Sequence, residues 1–428
     1  MLERLDLRGV LGDLRTRLPR PAAADEPPVE AVRAVLAAVK KTGDEAVREF
    51  TKKFDGVDID DLQVPPADIE AALGRIPPLL REALEAARDN ILAFHREQLH
   101  DDGKFQREGL EVREITRPVD RAGLYVPGGR APLISTVLMT GLPARVAGVP
   151  EVVLCSPPGP DGCVDDGILA AAALAGVDEV YRVGGAQAIA AMAYGTQSIR
   201  AVDTIVGPGN IYVSVAKREV AGEVGVPSSF AGPSEVVVIA DDSVPASYAA
   251  IDVVVQAEHG PDGLAWLVTW SEEVAERVTA EVARIVAESP RREEIEATLD
   301  GGGYAVLVED ATRAIEVSNA IAPEHLELLC ADAEALVPLV RHAGAVFVGP
   351  YAPASVGDYM AGPSHVLPTY GSARFAGALR VDDFLKQIHV ISVDEPGLAR
   401  LAPHVAALAE AEGLAAHAES VRIRWPGH

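Results

Sequence analysis

Apolar residues recur at helical spacing over two stretches near the start of the chain. One runs from Val29 to Phe54 (Val29, Val32, Val35, Leu36, Val39, then Val47 and Phe50), broken at Gly43. The other runs from Leu79 to Gln98 (Leu79, Leu80, Leu84, Ile91, Leu92). Spacings of three and four put such residues on one face and predict amphipathic helices. A shorter helix is predicted from Gly9 to Leu18, closed by Pro19, and the AAADEPP segment after Pro21 reads as a linker.

From about Leu110 the pattern changes. GLEVREITRPVDRAGLYVPGG alternates and reads as strand. Short apolar runs then alternate with helical stretches: strands at Val152–Cys155, Val180–Val183 and Thr204–Val206, and helices at Leu133–Ala147, Gly167–Leu174 and Gln187–Tyr194. The texture repeats after a boundary near Ser229–Ser234. Strands are predicted at Val236–Ala240, Leu264–Trp270, Tyr304–Val308 and Ala345–Val348, with helices at Pro245–Glu258 and Glu273–Ala287. Strands alternating with helices require right-handed crossovers and parallel sheets covered on both faces. The predicted class is therefore α/β, with two Rossmann-like, incomplete parallel-sheet units. Beyond Asp382 a helix (Ala402–Leu414) and a strand-like VRIRW look like an arm, not a closed domain.

Composition narrows the function. Of 428 residues, 38 are Lys or Arg and 64 are Asp or Glu, a net charge of −26 that repels phosphate backbones and anionic membrane surfaces. Nucleic acid and membrane are thus not expected partners. No apolar run approaches the length of a bilayer span, and the first residues lack the apolar core of a secretory signal. Cys155, Cys163 and Cys330 are odd in number and lack CxxC spacing, which fits reduced thiols and a cytoplasmic location.

No GxGxxG, GxxxxGK[ST], HExxH or GxSxG occurs. Four segments instead carry polar residues in unusual company. In QAEHGPD, Gln256 and His259 lie about 60° apart on one helix face and can bind a divalent metal, although a His at a helix C-terminus is also favoured by the dipole. In IAPEHLEL, Glu324 and His325 offer two proton-transfer groups side by side, or simply a Pro-initiated helix with an acidic first turn. In SVGDYMAGPSHVLPT, Asp358 and His365 sit among Gly and Pro in a predicted loop, either at a cleft or at the surface. In EAEGLAAHAES, Glu412 and His417 fall about 140° apart on a regular helix, so they converge only if Gly413 breaks it or a ligand meets them from two sides. The glycine-bearing turns GLYVPGG, VGGAQA and VGPGN each lie near a predicted strand end of the first unit, the edge where open α/β sheets bind ligands.

In this order and spacing, GLYVPGG, VGGAQA, GPGN, AGPSEV, QAEHGPD, APEHLEL, GDYMAGPSHVLPT and EGLAAH resemble the histidinol dehydrogenase family over nearly the whole chain. The resemblance implies oxidation of L-histidinol to L-histidine through a bound aldehyde, with two NAD+ and one Zn2+ per subunit. It implies zinc ligands Gln256, His259, Asp358 and His417, which also touch the substrate. Glu324 and His325 would be the catalytic pair, His325 touching substrate too, and Ser234, His365 and Glu412 would be further substrate contacts. Tyr125, Gln187 and Asn210 would line the NAD site. It further implies a homodimer with exchanged arms. The division expected is an N-terminal helical arm (1–22), a discontinuous metal unit (23–124 and 235–380), an NAD unit (125–234) and a C-terminal arm (381–428) completing the partner's active site. Alternatives are a related dehydrogenase of another amino- or sulfo-alcohol, a zinc hydrolase, which would not need the three glycine turns, and a two-lobed amino-acid-binding protein, which would have no use for a Glu-His pair.

Overall fold

Three sheets organise the residues described by the computed structural model, 2–19, 27–128, 132–227, 234–258 and 263–425. The strands are β1 (Glu3–Asp6), β2 (Gly103–Arg107), β3 (Leu110–Pro118), β4 (Arg121–Tyr125), β5 (Glu151–Ser156), β6 (Glu179–Arg182), β7 (Thr204–Val206), β8 (Glu235–Ala240), β9 (Leu264–Thr269), β10 (Gly303–Leu307), β11 (His325–Leu329), β12 (Ala345–Val348) and β13 (Leu385–Val393). One parallel sheet has the order β6-β5-β4-β7 and another the order β1-β10-β9-β8-β11-β12. In each, the chain steps outward strand by strand and then returns to the other side of its first strand. The topological switch point therefore lies between β4 and β7 in the first and between β8 and β11 in the second.

The apolar runs explain the layering. β8 (EVVVIA) and β9 (LAWLVT) are buried at every position, as strands covered on both faces must be. Helix Ala246–Ala257 packs with Glu272–Glu288 on one face of the second sheet. Local signals set the helix ends. The Asp165 side chain accepts hydrogen bonds from the Gly167 and Ile168 N–H groups, and left-handed Gly176 closes that helix. Gly207 (φ 109°) ends β7 so close to β4 that a Cβ there would collide with the Tyr125 carbonyl oxygen.

The structure departs from the sequence reading at four places. Residues 9–18 form no helix; β1 joins the edge of the six-stranded sheet, and a single 3-10 turn (Leu14–Thr16) follows. Gly9 and Gly12 take positive φ, and Leu7, Leu14 and Leu18 are buried in the second unit's core, so this segment is part of that unit and not a helical arm. Residues 29–96 do not join the metal unit. Helices Val29–Thr42 and Asp44–Asp55 bury Val32, Val35, Leu36, Val39 and Val47 in one core with Tyr125, Val153 and Ile189, and Pro78–Arg96 packs on Ile134–Val146. The run that begins at about Leu110 holds two strands, not one, since β3 pairs antiparallel with β2 and β13 while β4 belongs to the first parallel sheet. The VRIRW segment is helical over its first residues, within Ala415–Arg422. The expected boundary falls mostly on 228–233, outside the described residues.

Candidate functional site

At the amino edge of the second sheet, β8 and β11 start side by side, with His325 in register with Val236. Ala322, left-handed at φ 57°, ends helix Ala311–Ile321 and turns the chain so that Pro323 and Glu324 lead into β11. A non-glycine residue in that conformation carries strain that the surroundings must hold, a common feature of functional sites. Gly344 keeps the next turn close: a Cβ there would lie 2.6 Å from the Glu324 carbonyl oxygen.

Glu324 and His325 are both nearly fully buried. Glu324 Oε2 accepts from the Glu235 N–H at 3.3 Å and lies 3.8 Å from His325 Nδ1. His325 Nδ1 also lies 3.2 Å from the Glu235 carbonyl oxygen. A carbonyl can only accept, so Nδ1 carries a proton and points at that carbonyl, leaving Nε2 as the nitrogen turned toward His365. With Nδ1 so engaged, Nε2 is the ring nitrogen able to act as a base. His325 Nε2 is 2.6 Å from His365 Nε2, which is in turn 2.9 Å from Asp358 Oδ1. Phe347 borders both rings at 6.1 and 6.4 Å.

Asp358 comes from the short helix Ala354–Tyr359 and His365 from the loop after it. That loop spans the units. Ser364 donates to the Met139 carbonyl at 2.8 Å, Val366 is buried in the first unit's core, and the Gly371 N–H donates to Glu235 Oε2 at 3.2 Å. One ligand atom from each of His325, Asp358 and His365 falls within 4.8 Å of the others, a spacing that a metal ion can bridge. Gln256 is buried at the end of helix Ala246–Ala257, and its amide nitrogen has no hydrogen-bond partner among the described residues. Amide, carboxylate and imidazole together suit a borderline divalent cation. Ser234 precedes β8, and its carbonyl accepts from the Leu264 N–H. His259 lies outside the described residues. Glu412 and His417 are exposed on the C-terminal helices, so this single chain brings together only part of the expected set.

The first sheet presents its carboxyl edge instead. Tyr125 ends β4, and its hydroxyl accepts from the Gly185 N–H at 3.1 Å; burial pushes its pKa up to about 12, so the phenol stays protonated. Gln187, in helix Gly185–Tyr194, is buried with neither amide atom paired among the described residues, and the same holds for Ser156 Oγ at the end of β5. Buried polar groups are normally satisfied, so these point to a missing polar ligand. Asn210 caps helix Ile211–Val220 by accepting from the Val213 N–H at 3.1 Å. A cleft of about 840 Å³, bordered by Gly128, Pro157 and Arg182, opens along the same edge. Tyr125, Gln187 and Asn210 do not line it; it approaches them through Pro157, against which Gly184 packs.

Sequence reasoning passed over Lys217, which is buried behind the Gly207 turn and donates to its carbonyl at 2.5 Å. It also passed over Asp252 and Glu327, a buried carboxyl pair next to the His325 site. The available signal was a charged residue inside an otherwise apolar periodic face.

Two parallel sheets, one offering unpaired polar atoms at its carboxyl edge and the other a base-ready imidazole beside carboxylates, define a two-unit α/β enzyme of dehydrogenase type. The chain belongs to the histidinol dehydrogenase family, whose model matches residues 18–425. A histidinol dehydrogenase from Parasynechococcus marenigrum is 49% identical over 394 residues, 92% of this chain and 90% of that protein. One from Synechococcus sp. is 50% identical over 396 residues, covering 92% and 91%. The crystal structure of histidinol dehydrogenase from Elizabethkingia anophelis superposes with a TM-score of 0.94 at 35% identity, covering 99% of this chain and 98% of that one. An acetylating aldehyde dehydrogenase from Geobacillus thermoglucosidasius shares only the fold, with a TM-score of 0.51 at 16% identity over 85% of this chain and 96% of that one.

Proposed function

We propose that the chain oxidises L-histidinol to L-histidine through bound L-histidinaldehyde, in two successive oxidations with NAD+. The observation that carries this reading is the setting of His325, whose Nδ1 meets the Glu235 carbonyl and whose Nε2 faces His365 beside Asp358, where it would take the alcohol proton. Glu324, buried beside it, is the base for the water that hydrates the aldehyde before the second oxidation. Tyr125, Gln187 and Asn210 would hold NAD+, which would supply the hydride acceptor for both oxidations. A divalent ion, expected to be zinc, would be held by Gln256, His259, Asp358 and His417 and would supply a template for the substrate's imidazole and amine. Ser234, His365 and Glu412 would complete the substrate contacts. Absorbance should show about two NADH per L-histidinol consumed, as successive alcohol and aldehyde oxidation requires. One NADH, or none, contradicts the reading.

The C-terminal residues act in a second copy of the chain. Helices Glu395–Ala411 and Ala415–Arg422 bury only small residues, Gly397, Ala402, Ala406, Ala409 and Ala418, and leave Val405, Leu408 and Ile423 exposed, while β13 exposes Ile388 and Ile391. Such a surface calls for a partner, and a twofold dimer that exchanges the arm carries Glu412 and His417 to the other subunit's Asp358. Mixing His325→Asn subunits with His417→Ala subunits should then restore activity to about one quarter of wild type after random exchange, because each heterodimer holds one intact site. No recovery would mean that each subunit uses its own arm.

A further inference from the structure

Glu327 is fully buried in β11, and Asp252 is buried in helix Ala246–Ala257. Their carboxyl groups hydrogen-bond each other. Glu327 Oε1 accepts from the Ala354 N–H at 3.2 Å, and no N–H group reaches Oε2. Two carboxyl groups in contact can bond each other only through a proton that one of them carries. Apart from Ala354, the groups acting on Glu327 are Asp252 and Asp358, both acidic, and burial together with these neighbours raises its pKa far above the carboxylate range.

Neither residue is placed to touch substrate, yet each neighbours a functional group by one structural repeat. Asp252 precedes Gln256 by one helical turn on the same face. Glu327 follows His325 by one strand period, so both lie on the face of β11 toward helix Ala246–Ala257, while Leu326 and Leu328 enter the core on the opposite face. Ala354 precedes Asp358 by one turn in the helix that it begins. Three elements that carry a proposed ligand, the proposed base and a second proposed ligand thus meet at one buried hydrogen-bonded point. An apolar pair of similar volume would fill the space, but it would not fix direction or satisfy the Ala354 N–H.

We propose that Asp252 and Glu327 are positioning residues, a hydrogen-bonded carboxyl pair that holds Gln256, His325 and Asp358 in their mutual arrangement. The proposal rests on the metal and base roles assigned above. Groups that orient ligands from behind change metal affinity about 10–100-fold when removed.

The test compares Glu327→Val with Glu327→Gln in the full chain, reading Zn2+ affinity by competition with a chromophoric chelator, kcat and KM for L-histidinol, and the melting temperature. Glu327→Val should weaken Zn2+ binding about 10–100-fold and lower kcat more than it changes KM. Glu327→Gln, which can still accept from Ala354 and bond to Asp252, should stay within about threefold of wild type on both. If Glu327→Val does not fold, Asp252→Val carries the same expectation. A lower melting temperature with unchanged Zn2+ affinity and kcat would overturn the proposal, as would a Gln variant as impaired as Val. If wild type binds no Zn2+, the metal reading fails separately, and the loss of kcat with rescue by Gln still decides the positioning role.

Discussion

The two parallel sheets share a winding order but place their polar groups at opposite ends. In the first, the unpaired Gln187 amide and Ser156 hydroxyl lie at the carboxyl edge, beside the turns after β4 and β7. In the second, Glu324 and His325 stand at the amino edge, where β8 and β11 begin. The first edge follows the general rule for open α/β sheets. The second escapes it because this site is made from the segments that enter the strands and from a loop, Gly362–Gly371, that packs on both units. On the proposed reading, the same architecture serves two tasks in one chain, cofactor holding at one end and proton transfer at the other, with a bridging loop reaching across.

The largest effects are expected at the amino edge of the second sheet. His325→Asn should lower the rate of alcohol oxidation by about 10²–10⁴, the usual span for a general base, and Glu324→Gln should do the same chiefly for the aldehyde step. Steady-state rates with each substrate check this. At the carboxyl edge of the first sheet, Gln187→Leu should raise the KM for NAD+ about tenfold with a smaller change in kcat, as expected from losing one or two hydrogen bonds. An unchanged KM would remove Gln187 from the cofactor site.

Lys217 sharpens the comparison through pH. Burial lowers its pKa from 10.5 to about 8. Between pH 8 and 10.5 the unfolded chain binds the proton that the folded chain has released, so this group makes stability rise with pH across that window. Below pH 8 both states are charged, and the desolvation cost is fully present. The difference in unfolding free energy between wild type and Lys217→Met should therefore change by about 2–4 kcal/mol across the window; a flat difference would show that the ammonium is not desolvated. The smallest effect belongs to the carboxyl edge of the second sheet, which the comparison leaves without chemistry. Asp241 there accepts from the N–H groups of Ser243 and Ala331 at 2.9 and 3.1 Å. Asp241→Ala should cost about 1 kcal/mol of stability and leave kcat/KM unchanged.

Much of this was legible in the sequence wherever the determining signal was local. The apolar runs of β5, β8 and β9 and the amphipathic helices Val29–Thr42 and Pro78–Arg96 appear within a few residues of where periodicity puts them. Pairing across long separations was not legible: β1 with β10, β13 with β3, and the docking of residues 29–96 onto the first sheet depend on partners hundreds of residues away or on which of two similar sheets a helix covers. The site divides likewise. Glu324, His325, Asp358 and His365 converge in the folded chain. Glu412 and His417 remain exposed on the arm, and the proposed dimer would place their receiving surface on the other protomer. Glu327 was hidden because a strand reading HLELL looks like ordinary core, and its meaning appears only with Asp252 opposite.

Single-turnover NADH formation by wild type, His325→Asn and Glu324→Gln, each started from L-histidinol and separately from L-histidinaldehyde, tests the division of labour between the two edges most directly. His325→Asn should bind NAD+ normally yet form almost no NADH from the alcohol. Glu324→Gln should form one NADH from the alcohol and stall at the aldehyde. Normal NADH bursts from both variants on both substrates would show that the proton-transfer centre is not at the amino edge of the second sheet.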